Sequence, residues 1–391
     1  MMGALTLDLV REQAQEPLFE RLTTLGLPGN KTEQYRHFAI KPLFARDYTL
    51  KTAAVHTPKT GERLVIENGT VTEIPSGCSV SYRSAFPADP DHYDALYFLS
   101  HLLAPAVIAL EITTNVNFEL RHIVSDARTL LPYRLSVTVA PGKQAELFET
   151  FRGEGSTESL VLYGIDAEIG AGAALRWIRD ESGTSEETAL IGTHRFHVGA
   201  NGRLELRTFD FGSAQALHLY KIDLESHARC DAGHLLMASG TARRGNVVHI
   251  IHHAPHATCV QEARSVLRGA ATGIFDGLIR VDAKARYADA RQNTKAVLLS
   301  PQAYMYAKPQ LEIYTDELEA SHGATIGQLD EDALFYLRSR GIAEEEARSM
   351  LVLAFADALI GSVGDSAYAE RIRADFQSAY FTAPDAAKET P

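Results

Sequence analysis

The residues best suited to chemistry lie in one short run, His249-Ile-Ile-His252-His253-Ala-Pro-His256. Four imidazoles in eight residues are the donor type that holds zinc or iron. On a strand, however, His249 and His252 point to opposite faces, and Pro255 sets a corner between His256 and the rest. No Asp or Glu completes a ligand set within the run. It reads in two ways: a metal site using His252 and His253, or histidines hydrogen-bonded and solvated on a β surface.

The three cysteines, Cys78, Cys230 and Cys259, are far apart and form no CxxC pair. This speaks against a structural zinc site or a permanent cluster held by one chain. Their odd number and wide spacing speak against a disulfide framework and fit a reducing compartment. Cys230 and Cys259 occupy the same place in successive copies of a repeat, just after a corner. Coils stacked in register bring them roughly 5 Å apart on neighbouring strands. The pair reads as thiolates for transient metal or sulfur, or as small side chains filling equivalent packing positions.

Other signatures are missing. There is no phosphate-cradling G-x-x-x-x-G-K-[ST], no G-x-S-x-G and no H-E-x-x-H, and Gly170 and Gly172 sit at a corner rather than at a strand-to-helix turn. The formal charge of −12 provides no basic stripe for nucleic acid. Hydrophobic residues make up 45% and charged residues 23%, ordinary for a soluble chain with a sizeable core. Met1 to Leu22 mixes Leu with Asp, Arg and Glu and lacks the apolar core of a signal peptide. No window reaches the roughly 18 apolar residues of a membrane span. A cytoplasmic protein without membrane contact is expected.

Three zones must position these residues. Residues 1–125 form an N-terminal α/β region. Within it, residues 4–25 carry Leu5, Leu9, Leu18, Leu22 and Leu25 at near-helical spacing, interrupted by Pro17 and stopped by Leu27-Pro28-Gly29. Residues 92–113 predict a helix running toward a strand at Ala106 to Ile112. Residues 126–328 are short β-type segments, such as Arg134–Val139, Ala145–Phe151, Arg203–Phe209 and Val247–His252, separated by Gly, Pro, Asn and Asp. Residues 329–391 turn helical. Asp330 is the expected N-cap of a first helix, Gly341 separates it from a second, and a third covers Arg371 to Tyr380. The second helix carries an apolar stripe of Ala347, Met350, Leu351, Ala354, Phe355, Ala358 and Leu359, with Gly361 as its stop. The polar tail after Thr382 is expected to be disordered.

The middle zone repeats one frame: a residue ending a strand, a five-residue corner, and a mostly apolar residue starting the next strand. It fits Val139–Ala145, Ile169–Leu175, Val198–Leu204, Leu224–Cys230, His253–Cys259, Val281–Tyr287 and Leu299–Met305, with a weak copy at Tyr314–Ala320. Successive starts lie 26 to 30 residues apart until Val281, and then the step shortens to 18. A repeat of that period buries its apolar face only against its neighbours, which predicts a β-helix or related solenoid. A β-sandwich offers similar hairpins, but with turns every 8–12 residues rather than one frame recurring near 28.

The stretch from Ala271 to Ile360 contains Gly273-Ile-Phe-Asp-Gly277, Ala290-Arg-Gln-Asn293, Leu298-Leu-Ser300, Lys308-Pro-Gln-Leu-Glu-Ile313, Ser321-His-Gly-Ala-Thr325, Gly327-Gln-Leu-Asp330 and Leu334-Phe-Tyr-Leu-Arg-Ser-Arg-Gly341. It closely resembles the carboxy-terminal half of the SufB/SufD family. Weaker similarity runs back to Leu27-Pro28 and Lys31-Thr-Glu33, so the resemblance covers most of the chain. Its length, and the absence of Cys between Tyr304 and Lys308, make it more similar to the SufD type.

The resemblance implies a mainly β protein, a right-handed parallel β-helix with helical regions at both ends. It implies a non-catalytic subunit of the SUF iron–sulfur cluster assembly complex, paired with a SufB-like paralogue through the β-helix ends. A SufC-like ABC ATPase docks on the C-terminal helices, for which Phe335, Tyr336, Arg338 and Arg340 are the candidates. His322 of the Ser-His-Gly-Ala-Thr motif is the residue implied to hold nascent cluster or iron at the SufB interface. A neutral imidazole suits iron; the alternative is a histidine that merely closes the last coil. Ala320 stands where many relatives have Cys, so sulfur ligands would come from the partner. No cofactor is expected to stay bound to the chain alone, with iron or cluster held transiently in the complex, and the isolated subunit is expected to form a homodimer. Two other functions compete: a β-helix enzyme acting on polysaccharide, which fold analogy alone supports, and a stand-alone metal-binding protein using the histidine run.

Overall fold

The computed structural model describes residues 10, 16–29, 32, 36–51, 57–76, 78–83, 88–153, 158–185, 187–212, 214–364 and 366–382. Helix α1 (Glu16–Leu25) is followed by α2 (Ile40–Phe44). Five short strands come next: β1 (Thr49–Leu50), β2 (Lys59–Gly61), β3 (Leu64–Glu67), β4 (Thr70–Pro75) and β5 (Ser79–Arg83). Helix α3 (Ala95–Leu103) leads into the coil strands. These are β6 (Val107–Ile112), β7 (Val116–Val124), β8 (Thr129–Val139), β9 (Gln144–Gly153), β10 (Leu160–Ile169), β11 (Ala174–Asp180), β12 (Ala189–Val198) and β13 (Arg203–Gly212). They continue with β14 (Ala216–Leu224), β15 (Arg229–Ala238), β16 (Arg243–His252), β17 (Thr258–Leu267), β18 (Thr272–Val281), β19 (Ala288–Leu298), β20 (Tyr304–Ile313) and β21 (Leu318–Gly327). Three helices close the chain: α4 (Glu331–Ser339), α5 (Glu344–Ile360) and α6 (Ser366–Thr382).

From β6 onward the chain alternates between two sheets. Even-numbered strands β6 to β20 stack in one, odd-numbered strands β7 to β21 in the other. Every pairing between these coil strands is parallel, from β6 with β8 and β7 with β9 to β18 with β20 and β19 with β21. That is the expected β-helix: each coil contributes one strand to each sheet, and neighbouring coils satisfy its backbone hydrogen bonds.

Both faces of the sheets are covered over most of their length, which explains apolar runs such as Leu160-Val-Leu-Tyr163 in place of clean alternation. Inward residues, such as Val161, Ile165, Leu204, Cys230 and Val248, fill the space between the sheets. On the outer face of the even sheet, Leu160, Leu162, Ile191, Leu217, Leu219 and Val247 pack with α3 and Leu22 of α1. On the odd sheet, Phe148, Ile178, Phe209, Phe211, Leu235 and Met237 are covered by Val352, Ala356, Leu359, Ile372 and Phe376 of α5 and α6.

The corners after the even strands explain the repeat. Gly142, Gly172, Asn201, His227, His256 and Tyr287 occupy the same corner position, all with φ between +56° and +70°. Each donates its backbone N–H to a carbonyl of the next corner, for example Gly142 to Ala171 and Gly172 to Ala200. Only glycine takes this conformation without steric cost, and the other residues there incur roughly 1–2 kcal/mol. The shared hydrogen-bond ladder opposes that cost.

Four copies of the frame need correction. The copy at Val281 runs to Ala290, in register with Cys259, and Tyr287 still lies in the corner. Leu299–Met305 lies between β19 and β20, at the opposite corner, so the step of 18 is a half-coil. The true successor of Val281 is Ile313 at the end of β20, one residue before the copy placed at Tyr314, since Val281 pairs with Ile313. The copy placed at His253 begins at His252, which is in register with both Leu224 and Val281. That corner contains one residue more than the corner before it.

The helical ends also differ in detail. Helix α1 covers only the second half of the expected span; residues 4–9 and 11–15 lie outside the described residues. It ends at Gly26, whose φ of +79° stops it before Leu27-Pro28-Gly29. Asp330 caps α4 as expected, its Oδ1 accepting from Asp332 N at 2.9 Å and Ala333 N at 3.1 Å. The buried face of α5 is Ala347, Val352, Ala356, Leu359 and Ile360, whereas Met350, Ala354 and Ala358 of the expected stripe are exposed. Ala347 and Leu359 of that stripe are buried and Leu351 and Phe355 pack partly buried against the same core, so the spacing found part of the face and missed Val352, Ala356 and Ile360. The tail beyond Thr382 lies outside the described residues.

Candidate functional site at the open end of the coil

Among the described residues the last coil has no successor. The even sheet ends on β20 and the odd sheet on β21, which leaves one edge of each without a hydrogen-bonded neighbour among the described residues. An unpaired strand edge is a template for another chain. The interior strands are buried, but β21 is exposed from Glu319 to Thr325 on both faces. Apolar side chains gather at this end: Tyr304 and Tyr314 are about three-fifths exposed, and Ile313 and Ile326 more than two-fifths.

His322 stands in the middle of β21. It is in register with Gln292 of β19, which in turn pairs with Gln261 of β17. This is an inward-facing row, with Gln261 and Gln292 buried. Among the described residues no even strand follows β20 to cover β21, and His322 is exposed. It is therefore not sealed in the interior. Ala320 continues another inward row, Cys230, Cys259, Ala290 and Ala320.

The stacking expected of Cys230 and Cys259 is present: the two pair directly. Both are buried. Burial pushes the Cys259 thiol up to about 12 and raises Cys230 well above its ordinary value. Neither is a ready thiolate at neutral pH.

The histidine run scatters into four surroundings. His249 stacks on Tyr93 with ring centroids 3.8 Å apart, and burial, then the nearby cation Lys308, pushes its pKa down to about 4. His252 points inward, Nε2 lying 3.1 Å from Cys259 Sγ, and burial pushes it too down to about 4. His253 points outward between two carboxylates, 2.8 Å from Asp223 and 2.9 Å from Asp282. His256 lies at the corner. The proposed set of His252, His253, Cys230 and Cys259 therefore does not converge on one point, because consecutive strand residues face opposite ways.

Sequence reading missed a polar cluster between the sheets. Glu181, Asp210 and His218 are buried with ligand atoms within 4.8 Å of one another, the only such group of three among the described residues. Guanidinium groups already occupy it. Arg179 donates to Asp210 at 2.5 Å and Arg244 to Glu181 at 3.1 Å. His218 Nε2 lies 2.7 Å from Glu181, and burial, then Arg179, holds this imidazole well below its usual pKa. Two cations balance two carboxylates, so a metal ion would have to displace them. The available signal was His218 and Tyr220 alternating on the inward face of β14, whose other inward residues, Ala216, Ile222 and Leu224, are apolar; their partners come from other coils.

A family model described as SUF system FeS cluster assembly, SufBD core domain, matches residues 122–355, more than half of the chain. The chain belongs to the SufBD core family. The iron-sulfur cluster assembly protein SufD of Escherichia coli is 36% identical over 111 residues, 28% of this chain and 26% of that protein. A SufBD family protein of Synechocystis is 29% identical over 206 residues, covering 52% and 45%. The chloroplastic protein ABCI7 of Arabidopsis thaliana is 30% identical over 208 residues, covering 50% and 38%. The matched segments thus span about a quarter to under half of these relatives.

The SufBD core match continues through α4 and most of α5. On α4, Leu334 is the buried anchor, while Phe335 is 72% and Tyr336 56% exposed. Arg340 lies over the Tyr336 ring at 4.9 Å and donates to its hydroxyl at 2.9 Å. Arg338 lies 3.5 Å from Glu344. The four candidate docking residues thus share an exposed helix and its C-terminal cap. No helix among the described residues is long and apolar enough to cross a membrane.

Proposed function

We propose that this chain is a non-catalytic, SufD-type scaffold subunit for iron–sulfur cluster assembly in the cytoplasm. Its open coil end pairs with a SufB-like paralogue, and its C-terminal helices dock a SufC-like ABC ATPase. His322 offers its imidazole to iron or nascent cluster at the paralogue interface. The iron or cluster is cargo, held transiently, with sulfur ligands from the partner because Ala320 supplies none. Without the paralogue, a second copy of the chain covers the same edges.

The observation that carries this reading is the exposed His322 on an uncapped terminal strand within a SufBD core chain. An imidazole projecting from an unpaired edge is placed to complete a site only when another chain adds its half. Phe335 and Tyr336 support the ATPase dock, since two large exposed rings on one short helix match the aromatic anchors typical of interfaces.

The test is co-expression with a SufB-like paralogue and a SufC-like ATPase, followed by size-exclusion chromatography. The expected result is one complex containing all three chains, from which the Phe335→Ala/Tyr336→Ala variant loses the ATPase but keeps the paralogue. Elution of this chain apart from both partners would refute the reading.

A further inference from the structure

Of the histidine run, His249, His252 and His253 are held by the contacts given above, which leaves His256. His256 occupies a corner position with φ of +62°. The same position holds His227 one coil earlier and Tyr287 one coil later, at +56° and +60°. The backbone aligns them: His227 N–H donates to Pro255 O at 3.0 Å and His256 N–H to Arg286 O at 2.9 Å. The rings follow that alignment. His227 and His256 stack with centroids 4.6 Å apart and planes within 11°, and His256 stacks on Tyr287 at 5.0 Å and 19°.

Both imidazoles are exposed, and neither ring has a hydrogen-bond partner among the described residues. Two such side chains on adjacent corners, with their backbone anchors fixed by that ladder of hydrogen bonds, offer a pair of nitrogen donors of the kind that suits divalent first-row transition metals. Metal–nitrogen bonds of about 2.0–2.1 Å at a tetrahedral angle place the two nitrogens roughly 3.4 Å apart. In the stacked pair the ring planes are near-parallel and the in-plane nitrogen lone pairs do not converge, so binding turns both exposed rings about their side-chain bonds and gives up the stack. The pairing is invisible in the sequence run, because His256 finds its partner 29 residues away.

We propose that His227 and His256 form a two-imidazole site for a divalent first-row transition-metal ion on the outer corner of the coil, with Tyr287 packed against its far side. With only two protein ligands the ion stays exchangeable and water completes its coordination. The site shares no residue with the open end and does not rest on the role given to His322.

The test is calorimetric titration of the purified full chain with Ni²⁺ alone at neutral pH, comparing wild type with His227→Asn and His256→Asn. Asparagine is chosen because Asn201 holds the same corner at φ of +57° one coil before His227, so the backbone is preserved; circular dichroism checks the fold. Each variant is expected to bind at least about tenfold more weakly, since the second ligand no longer acts at high effective concentration. The double variant should be little weaker than either single one. Asn201→His in the His256→Asn background puts an imidazole on the other side of His227 and should restore affinity. Wild type that binds no Ni²⁺, or Asn variants that bind it as tightly as wild type, would overturn the proposal.

Discussion

Replacing Asp166 by Ala removes the centre of the contact that seats α3 on the coil. Arg134 donates to Asp166 Oδ2 at 3.1 and 2.7 Å. It reaches Ser100 and Thr193 hydroxyls at 2.5 and 2.8 Å and lies over the Tyr97 ring at 4.7 Å. Tyr97 in turn donates to Asp166 Oδ1 at 2.7 Å. Burial alone would raise the Asp166 pKa, but the charge of Arg134, then His101, outweighs it and holds the carboxyl far below its usual range. Asp166→Ala leaves a guanidinium fully buried without a counter-charge, at a cost of about 3–5 kcal/mol. The Tyr97 hydroxyl loses its acceptor as well. Arg134→Met/Asp166→Leu removes both charges and should recover to within about 1–2 kcal/mol of wild type. The assay is urea unfolding followed by Trp177, the only tryptophan, which is buried in the same coil and donates to Glu149 at 2.8 Å. With an m-value of roughly 3 kcal/mol/M, the midpoint of Asp166→Ala should fall by about 1–1.7 M. A fall of under ~0.3 M, or a double variant as unstable as the single, would refute the reasoning.

Two further outcomes follow from named contacts. Gly192→Ala places a methyl group against the rings of His218 and His194, and such overpacking should cost about 2–3 kcal/mol in the same urea assay. His253 has its pKa raised by its hydrogen bond to Asp223 and, against the opposing effect of burial, by that to Asp282. A raised folded pKa contributes stability that is complete below the unfolded value of about 6.5 and disappears as pH rises through the folded value. Wild type should therefore exceed His253→Gln in stability by more in mildly acidic than in alkaline buffer, measured by unfolding across that range.

The coil was legible because stacking forces a recurring corner, and that corner has a chemical signature at Gly142, Gly172 and Asn201. Register within it was not. Leu299 imitates the frame at the opposite corner because both corners end one apolar strand and begin another. His253 was taken for His252 because corner length varies between coils. The histidine run looked like a site since the eye groups neighbours in sequence, whereas parallel coils join residues about 29 apart. The buried cluster around Glu181 and the Arg134–Asp166 pair draw on several coils and a helix, so no local pattern announces them. The face of α5 was found only in part, through Ala347, Leu351, Phe355 and Leu359, because packing against the cluster that holds Phe209 and Leu235, not apolar spacing alone, decides which side is buried. His322 came from the family resemblance. What the fold adds is its place on the terminal strand and its exposure.

The most direct measurement is cluster loading of the reconstituted three-chain complex with His322→Ala in this subunit. An exposed side chain on a terminal strand should cost the fold no more than about 0.5 kcal/mol, and the three chains should still co-elute. The expected result is an intact complex with strongly reduced cluster, read from its visible absorption and bound iron. A complex that loads cluster to the wild-type level without this imidazole would contradict it.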